Sequence, residues 1–174
     1  MKYLVKFFVI TFLLLNCTYT LAEQTIVVLD MKYVLNNSKA GKGVQEHLKK
    51  TFNKNNEKFT SMEKELKKKE SDLLAKKTIY SKEEYKKKSD GLRKEVIKYQ
   101  SERRTSLEKI AKQRTESKQT LLKALNPILD AYINENDISI VMDKKNQIGG
   151  LKKYDITEII VEKLNKKLPS ISLK

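Results

Sequence analysis

The chain has 174 residues with 37 Lys and Arg against 22 Asp and Glu, a net charge of +15, and it carries one cysteine, one histidine, five glycines and two prolines. A single histidine and a single cysteine leave no nitrogen and sulfur set for a metal, and no thiol pair for redox work. Scarce glycine and proline in a chain one-third charged argue against a compact loop-rich globule and for long solvated helices.

Residues 1–22 have the layout of a secretory signal. Lys2 and Lys6 precede the apolar run Phe7-Phe8-Val9-Ile10-Thr11-Phe12-Leu13-Leu14-Leu15, and Thr20-Leu21-Ala22 offers a small residue before Glu23. The run is shorter than the roughly 20 residues a spanning helix needs. Acylation at Cys17 is the rival processing, set against by Asn16 where a small residue is usual. Cleavage after Ala22 leaves 35 basic and 22 acidic residues, a net of +13, and no cysteine. Stability must then come from packing or assembly rather than disulfides.

Thr25-Ile26-Val27-Val28-Leu29 is a β-branched run closed by Asp30 and reads as a buried strand. A helix is expected from about Ser38–Gly43 to about Lys77. Within it Leu48, Phe52, Asn55, Phe59, Met62, Leu66, Lys69 and Leu73 alternate steps of four and three, a heptad seam with polar interruptions at Asn55 and Lys69. Ser81 and Glu84 form a capping box after Thr78-Ile79-Tyr80, which places a hairpin tip near 78–82. The return helix presents Tyr85, Leu92, Val96, Tyr99, Leu107, Ile110, Leu121, Leu125 and Leu129, with Arg103, Arg114 and Ser117 breaking the stripe. Such an arm reaches on the order of 50 Å, and Pro127 is expected to kink it on re-entry.

Ile138-Ser139-Ile140-Val141-Met142 repeats the strand character of the start, and after Asn146-Gln147-Ile148-Gly149-Gly150 a third strand is expected at Leu151–Tyr154. Asp155 and Glu158 have capping-box spacing for a last helix, Ile156 to about Lys166, with Ile159, Ile160 and Leu164 turned onto the sheet. The reading is therefore a mainly α protein with a small β part. A helical hairpin arm, 42–125, projects from a strand-based body made of 23–41 and 126–174. Neither piece buries much on its own, so Ile26, Val27, Val28, Leu29, Ile138, Ile140, Val141 and Met142 are the expected oligomerisation residues.

Little here can carry catalysis. His47 reads as a solvated helix residue, and Gly41-Lys42-Gly43 lacks the length of a phosphate-binding loop, so no enzymatic activity, cofactor or metal is expected. Charge is more informative: from Lys49 to Arg104 there are 19 basic and 10 acidic residues. Lys67, Lys68, Lys69, Lys76, Lys77, Lys86, Lys87 and Lys88 put positive charge along the arm and round its tip, with Ile79, Tyr80, Tyr85 and Tyr99 among them. These twelve are the candidate contacts for an anionic or unfolded partner, while the bland account is a solvated lysine-rich helix closed by its aromatics.

Five segments together resemble the Skp (OmpH-like) family of periplasmic chaperones. They are Val27-Val28-Leu29-Asp30-Met31, Ser38-Lys39-Ala40-Gly41-Lys42, Met62-Glu63-Lys64-Glu65-Leu66, Ile140-Val141-Met142-Asp143 and Tyr154-Asp155-Ile156-Thr157-Glu158. The resemblance implies a periplasmic homotrimer whose strands form a small barrel and whose three arms enclose unfolded outer-membrane proteins without ATP. An anionic lipid or lipopolysaccharide surface is a further candidate partner, and nucleic acid is set aside by the export signal. The alternative is a structural envelope coiled coil, membrane-tethered through Cys17.

Overall fold

The computed structural model describes residues 24–173; residues 1–22, read from sequence as a signal, and Cys17 among them lie outside that range. Strand β1 (Thr25–Leu29) leads into a short helix α1 (Met31–Asn37), then α2 (Lys39–Ala75) and α3 (Lys82–Glu135), strand β2 (Ile138–Asp143), two 3-10 turns (Lys144–Asn146 and Lys152–Tyr154) and helix α4 (Thr157–Lys167).

Each long helix starts on a side-chain cap. Ser38, fully buried, accepts the Gly41 N–H at 3.2 Å and opens α2. Ser81 accepts the Glu84 N–H at 3.2 Å while Glu84 Oε2 accepts the Ser81 N–H at 3.2 Å, the reciprocal box expected from the sequence. Residues 76–81 are the hairpin tip, so α2 and α3 run antiparallel. At about 1.5 Å per residue they extend roughly 55 Å and 80 Å. α3 continues through Pro127 to Glu135 as one helix, with Asn136 as C-cap. Asp137 then takes a positive φ of 48° and turns the chain into β2.

β1 and β2 pair in parallel, Ile26 opposite Ile140 and Val28 opposite Met142, with a register irregularity between Thr25 and Ile26. The third strand expected at Leu151–Tyr154 is absent. There Tyr154 N–H bonds the Leu151 carbonyl and Asp155 N–H that of Lys152, a 3-10 turn. As a strand it would set Leu151 beside Lys153 and Lys152 beside Tyr154, so neither face would be apolar. Only Asp155 bridges to Val28, and Ile156 N–H bonds the Val28 carbonyl at 2.9 Å.

The capping box expected at Asp155 and Glu158 does not form either. Asp155 accepts the Thr157 N–H at 3.0 Å and pairs with Lys144 Nζ at 2.6 Å. Burial pushes the Asp155 carboxyl up, and the bonds from Lys144 and Thr157 outweigh it and hold it below the usual carboxylate range. Glu158 instead bonds the Tyr33 hydroxyl of α1 and raises that phenol. Helix α4 buries Thr157, Ile160, Val161 and Leu164, whereas Ile159, expected on the inner face, is exposed. Its stripe joins Val27, Leu29, Val34, Ala40, Leu121, Leu125, Ile128 and Ile138 in the body core.

Two glycines in the first turns of α2 separate packing from propensity. A Cβ at Gly41 would collide with the carbonyl oxygen of Leu35, whereas at Gly43 it meets open space. Gly43→Ala is expected to stabilise the chain by about 0.5–1 kcal/mol. Gly41→Ala is expected to destabilise it by roughly 1–3 kcal/mol, because α1 must shift away. Urea unfolding of the two variants checks the opposite signs.

Candidate functional surfaces of the arm and the body

At the root of the hairpin the seam is apolar: Val44 and Leu48 of α2 meet Ile110 of α3. One rung further out, Phe59 and Tyr99 meet edge to face, with ring centroids 6.1 Å apart at 71°. Between and beyond these, polar pairs cross from helix to helix. Asn55 Nδ2 donates to Ser106 Oγ at 2.7 Å, Lys58 Nζ to Glu102 Oε2 at 3.1 Å, and Lys69 Nζ to Glu95 Oε2 at 2.6 Å. The two polar interruptions of the heptad pattern are therefore cross-links of the hairpin. The Tyr99 hydroxyl donates to Glu63 at 3.4 Å and accepts from Arg103 at 3.4 Å. Glu63 also pairs with Lys67 at 2.8 Å, and that ammonium holds the Glu63 carboxyl below its usual range.

This geometry sorts the arm residues named from sequence. Tyr99 is buried in the seam and closes the hairpin rather than facing solvent, because its ring packs on Phe59. Lys67 and Lys69 are engaged in ion pairs, although exposed pairs of this kind hold only weakly. Lys68, Lys76, Lys77, Lys86, Lys87 and Lys88 are exposed. Lys88 Nζ lies 5.1 Å from the centre of the Tyr80 ring, and Tyr80 and Tyr85 are half-buried. Ile79 stands out at the tip, 76 % exposed. Leu74 and Ile97 are exposed on the arm too, and neither lies on the heptad positions that guided the sequence reading. Phe52 and Leu107, placed on the apolar stripes from sequence, are exposed, and their neighbours Thr51 and Ser106 take the half-buried positions at that level.

In the body, Val27, Leu29 and Ile138 are buried in the protomer core, and Val28, on the opposite face of β1, is buried where Asp155 and Ile156 bond it. Ile26, Ile140 and Met142 are 41 %, 49 % and 38 % exposed on the other side of the strand pair, and Val141 is half-buried. The expected oligomerisation set thus divides into buried residues and exposed apolar ones, and Ile148, Leu151 and Tyr154 of the loop after β2 are exposed as well. Among the described residues no strand pairs with the outer edge of β2. His47 is exposed on the polar flank of α2. Among the described residues no cluster of His, Cys, Asp and Glu has the grouping of a metal site, and no helix is long and apolar enough to cross a membrane.

The class these features define is a helical-hairpin protein: a long polar-bridged arm on a small αβ body that exposes one sheet face. The sequence profile of the OmpH-like outer membrane protein family matches residues 25–164. The chain belongs to that family. Its fold is similar to that of an OmpH-like protein from Caulobacter crescentus CB15, which its description proposes as an outer membrane chaperone. The TM-score is 0.77 at 17 % identity, over 89 % of this chain and 92 % of that one. No curated protein matches the sequence.

Proposed function

We propose that the chain is an ATP-independent holdase of the periplasm, exported by a cleaved signal, which keeps unfolded outer-membrane β-barrel proteins from aggregating. The observation that carries this reading is the arm: its basic surface is studded with single exposed apolar side chains, Leu74, Ile79 and Ile97, instead of a continuous patch. Isolated apolar contacts bind an unfolded chain weakly, and lysines draw in an anionic one over distance. A homotrimer joined through the Ile26, Ile140 and Met142 face supplies three such arms around one cavity. Many weak contacts then add by avidity while each exchanges freely. Release needs no nucleotide, since a client that folds into a bilayer withdraws its apolar surface from the arms.

The test is dilution of a urea-denatured outer-membrane barrel protein into buffer with the purified chain from Glu23 onward. Light scattering is expected to stay low at near-equimolar trimer and to rise without it; equal aggregation in both samples rejects the reading. In stopped-flow capture, raising salt from about 50 mM to about 500 mM is expected to slow association roughly tenfold if the arm charges steer the encounter. A salt-independent rate assigns capture to the apolar contacts alone.

A further inference from the structure

The family match ends at residue 164, and beyond α4 a short tail packs back on the rest of the chain. Leu168 stays half-buried against the body core, Pro169 and Ser170 are exposed, and then Ile171 and Leu173 turn inward while Ser172 faces out. That period of two is the pattern of an extended chain with one apolar face. Ile171 packs on both the body core and the Val44, Leu48 and Ile110 cluster at the hairpin root, and Leu173 packs on the root cluster alone. The tail therefore leaves the body and climbs the base of the arm.

Leu173 ends inside an open cleft between α2 and α3, not on a flat surface. Phe59 and Ile110 line it together with Thr51, Asn55 and Ser106 and the charged Lys58, Glu102 and Lys109, and its volume is about 580 Å³. That lies within the roughly 300–1,000 Å³ common for ligand clefts. It continues past Leu173 toward the Phe59 rung, so the tail fills only its lower end. Apolar, hydroxyl and amide groups beside the Lys58–Glu102 ion pair suit an extended backbone that carries apolar side chains at alternate positions and polar ones between them.

We propose that this cleft is a binding site for extended polypeptide with alternating apolar residues, occupied in the resting protein by its own tail, residues 168–173, which a client strand displaces. The proposal rests on the holdase reading and adds where a client strand docks and what regulates access. Unfolded barrel proteins have that alternating chemistry, because their strands face lipid and lumen by turns. The tether holds the tail at high effective concentration, so only a chain with several such segments, or one already gathered by the arms, competes well. A single short peptide competes only weakly with the tethered tail, and a folded protein offers no extended strand.

The probe is a fluorescein-labelled synthetic peptide of residues 165–174, read by anisotropy against the chain from Glu23 onward. The Ile171→Ser, Leu173→Ser double variant keeps Leu168 and the chain length, and is expected to bind the peptide roughly tenfold or more tighter than the parent, whose own tail competes. Because that chain has no cysteine, Thr51→Cys and Leu173→Cys can be joined by a short bis-maleimide; the locked protein is expected to lose peptide binding and the unjoined one to keep it. Equal peptide binding by parent, double variant and locked protein overturns the proposal, as does no binding by any of them. If the double variant loses its helical circular dichroism, the locked pair decides alone. Failure of the holdase reading is read separately, as failure of the parent to suppress barrel aggregation. A chain that suppresses aggregation equally well with its tail locked rejects the cleft while leaving the holdase standing.

Discussion

An Ile140→Asp chain is expected to elute as a folded monomer at concentrations where the parent elutes as a trimer. Ile140 lies opposite Ile26 in the parallel ladder, and both point away from the body core, at 49 % and 41 % exposure. A carboxylate there costs the isolated protomer little, since surface changes away from packed features stay within about 0.5 kcal/mol. In the proposed trimer the same carboxylate is carried into an apolar contact without a partner, once per subunit. Each unpaired buried charge costs several kcal/mol, and the copies act together on one equilibrium, so the dissociation constant is expected to rise by several orders of magnitude. Size-exclusion chromatography with light scattering reads the mass, and far-ultraviolet circular dichroism verifies that the helices persist. An Ile140→Asp protein with the parent's trimeric mass places the interface elsewhere; a monomeric parent removes the cavity altogether.

Leu125→Ala is expected to be the most damaging conservative truncation in the protomer. Leu125 is fully buried where α3 passes the body, in the core that also contains Leu121, Ile128, Ile160, Val161 and Leu164. Removing a buried leucine side chain leaves a cavity and costs about 2–5 kcal/mol. At about 2–4 °C per kcal/mol for a domain of this size, a loss near 3 kcal/mol lowers the melting temperature by about 6–12 °C. Leu107→Ala is the control on the same helix. Its side chain is 49 % exposed, so the expected cost is at most about 1 kcal/mol even though the sequence pattern places it on the stripe. Urea unfolding of both variants at one fixed concentration separates the core of α3 from its arm. Equal losses would mean that the hairpin seam stabilises the fold as strongly as the body does.

The contrast between those two leucines shows what periodicity can and cannot reveal. Steps of three and four located the seam, and the Ser81 and Glu84 pair located the tip, because heptads and caps depend on residues a few positions apart. The same pattern promised that Phe52 and Leu107 are buried. At their level the half-buried positions fall to Thr51 and Ser106, polar residues that an apolar pattern does not pick out. Asn55 and Lys69 looked like defects for that reason, until Ser106 and Glu95 were found facing them.

At the ends of the chain the misses are shorter elements. Helix α1 has seven residues and buries only Val34, too little for a helical period to show, and Asp30, read as the close of a strand, caps it by accepting the Tyr33 N–H at 2.7 Å. In α4, Ile160 and Leu164 are buried as their spacing implies, and Ile159 alone is not. Thr157, Ile160, Val161 and Leu164 make the complete one, four, five, eight stripe, and Ile159 drew notice only as one of two adjacent isoleucines. Ile171-Ser172-Leu173 carried a strand-like alternation that was legible in principle, but nothing local says that a tail of three such residues will find a cleft. Of the arm residues named from sequence, the lysines and Ile79 are exposed and Tyr99 is buried in the seam.

The polar links across the arm also set its alignment. Apolar rungs tolerate sliding, since one leucine fits against another almost anywhere along a seam, whereas a polar pair is satisfied at one offset only. Here Asn55 with Ser106, Lys58 with Glu102, Glu63 with Tyr99 and Lys69 with Glu95 all fall within about one helical turn of one antiparallel offset. A slip of one heptad, about seven residues, toward the root would bring Lys58 against Lys109. The same slip toward the tip would bring Lys69 against Lys88. Both errors set ammonium against ammonium, so the arm is keyed like a zip fastener: its two helices close on a single setting.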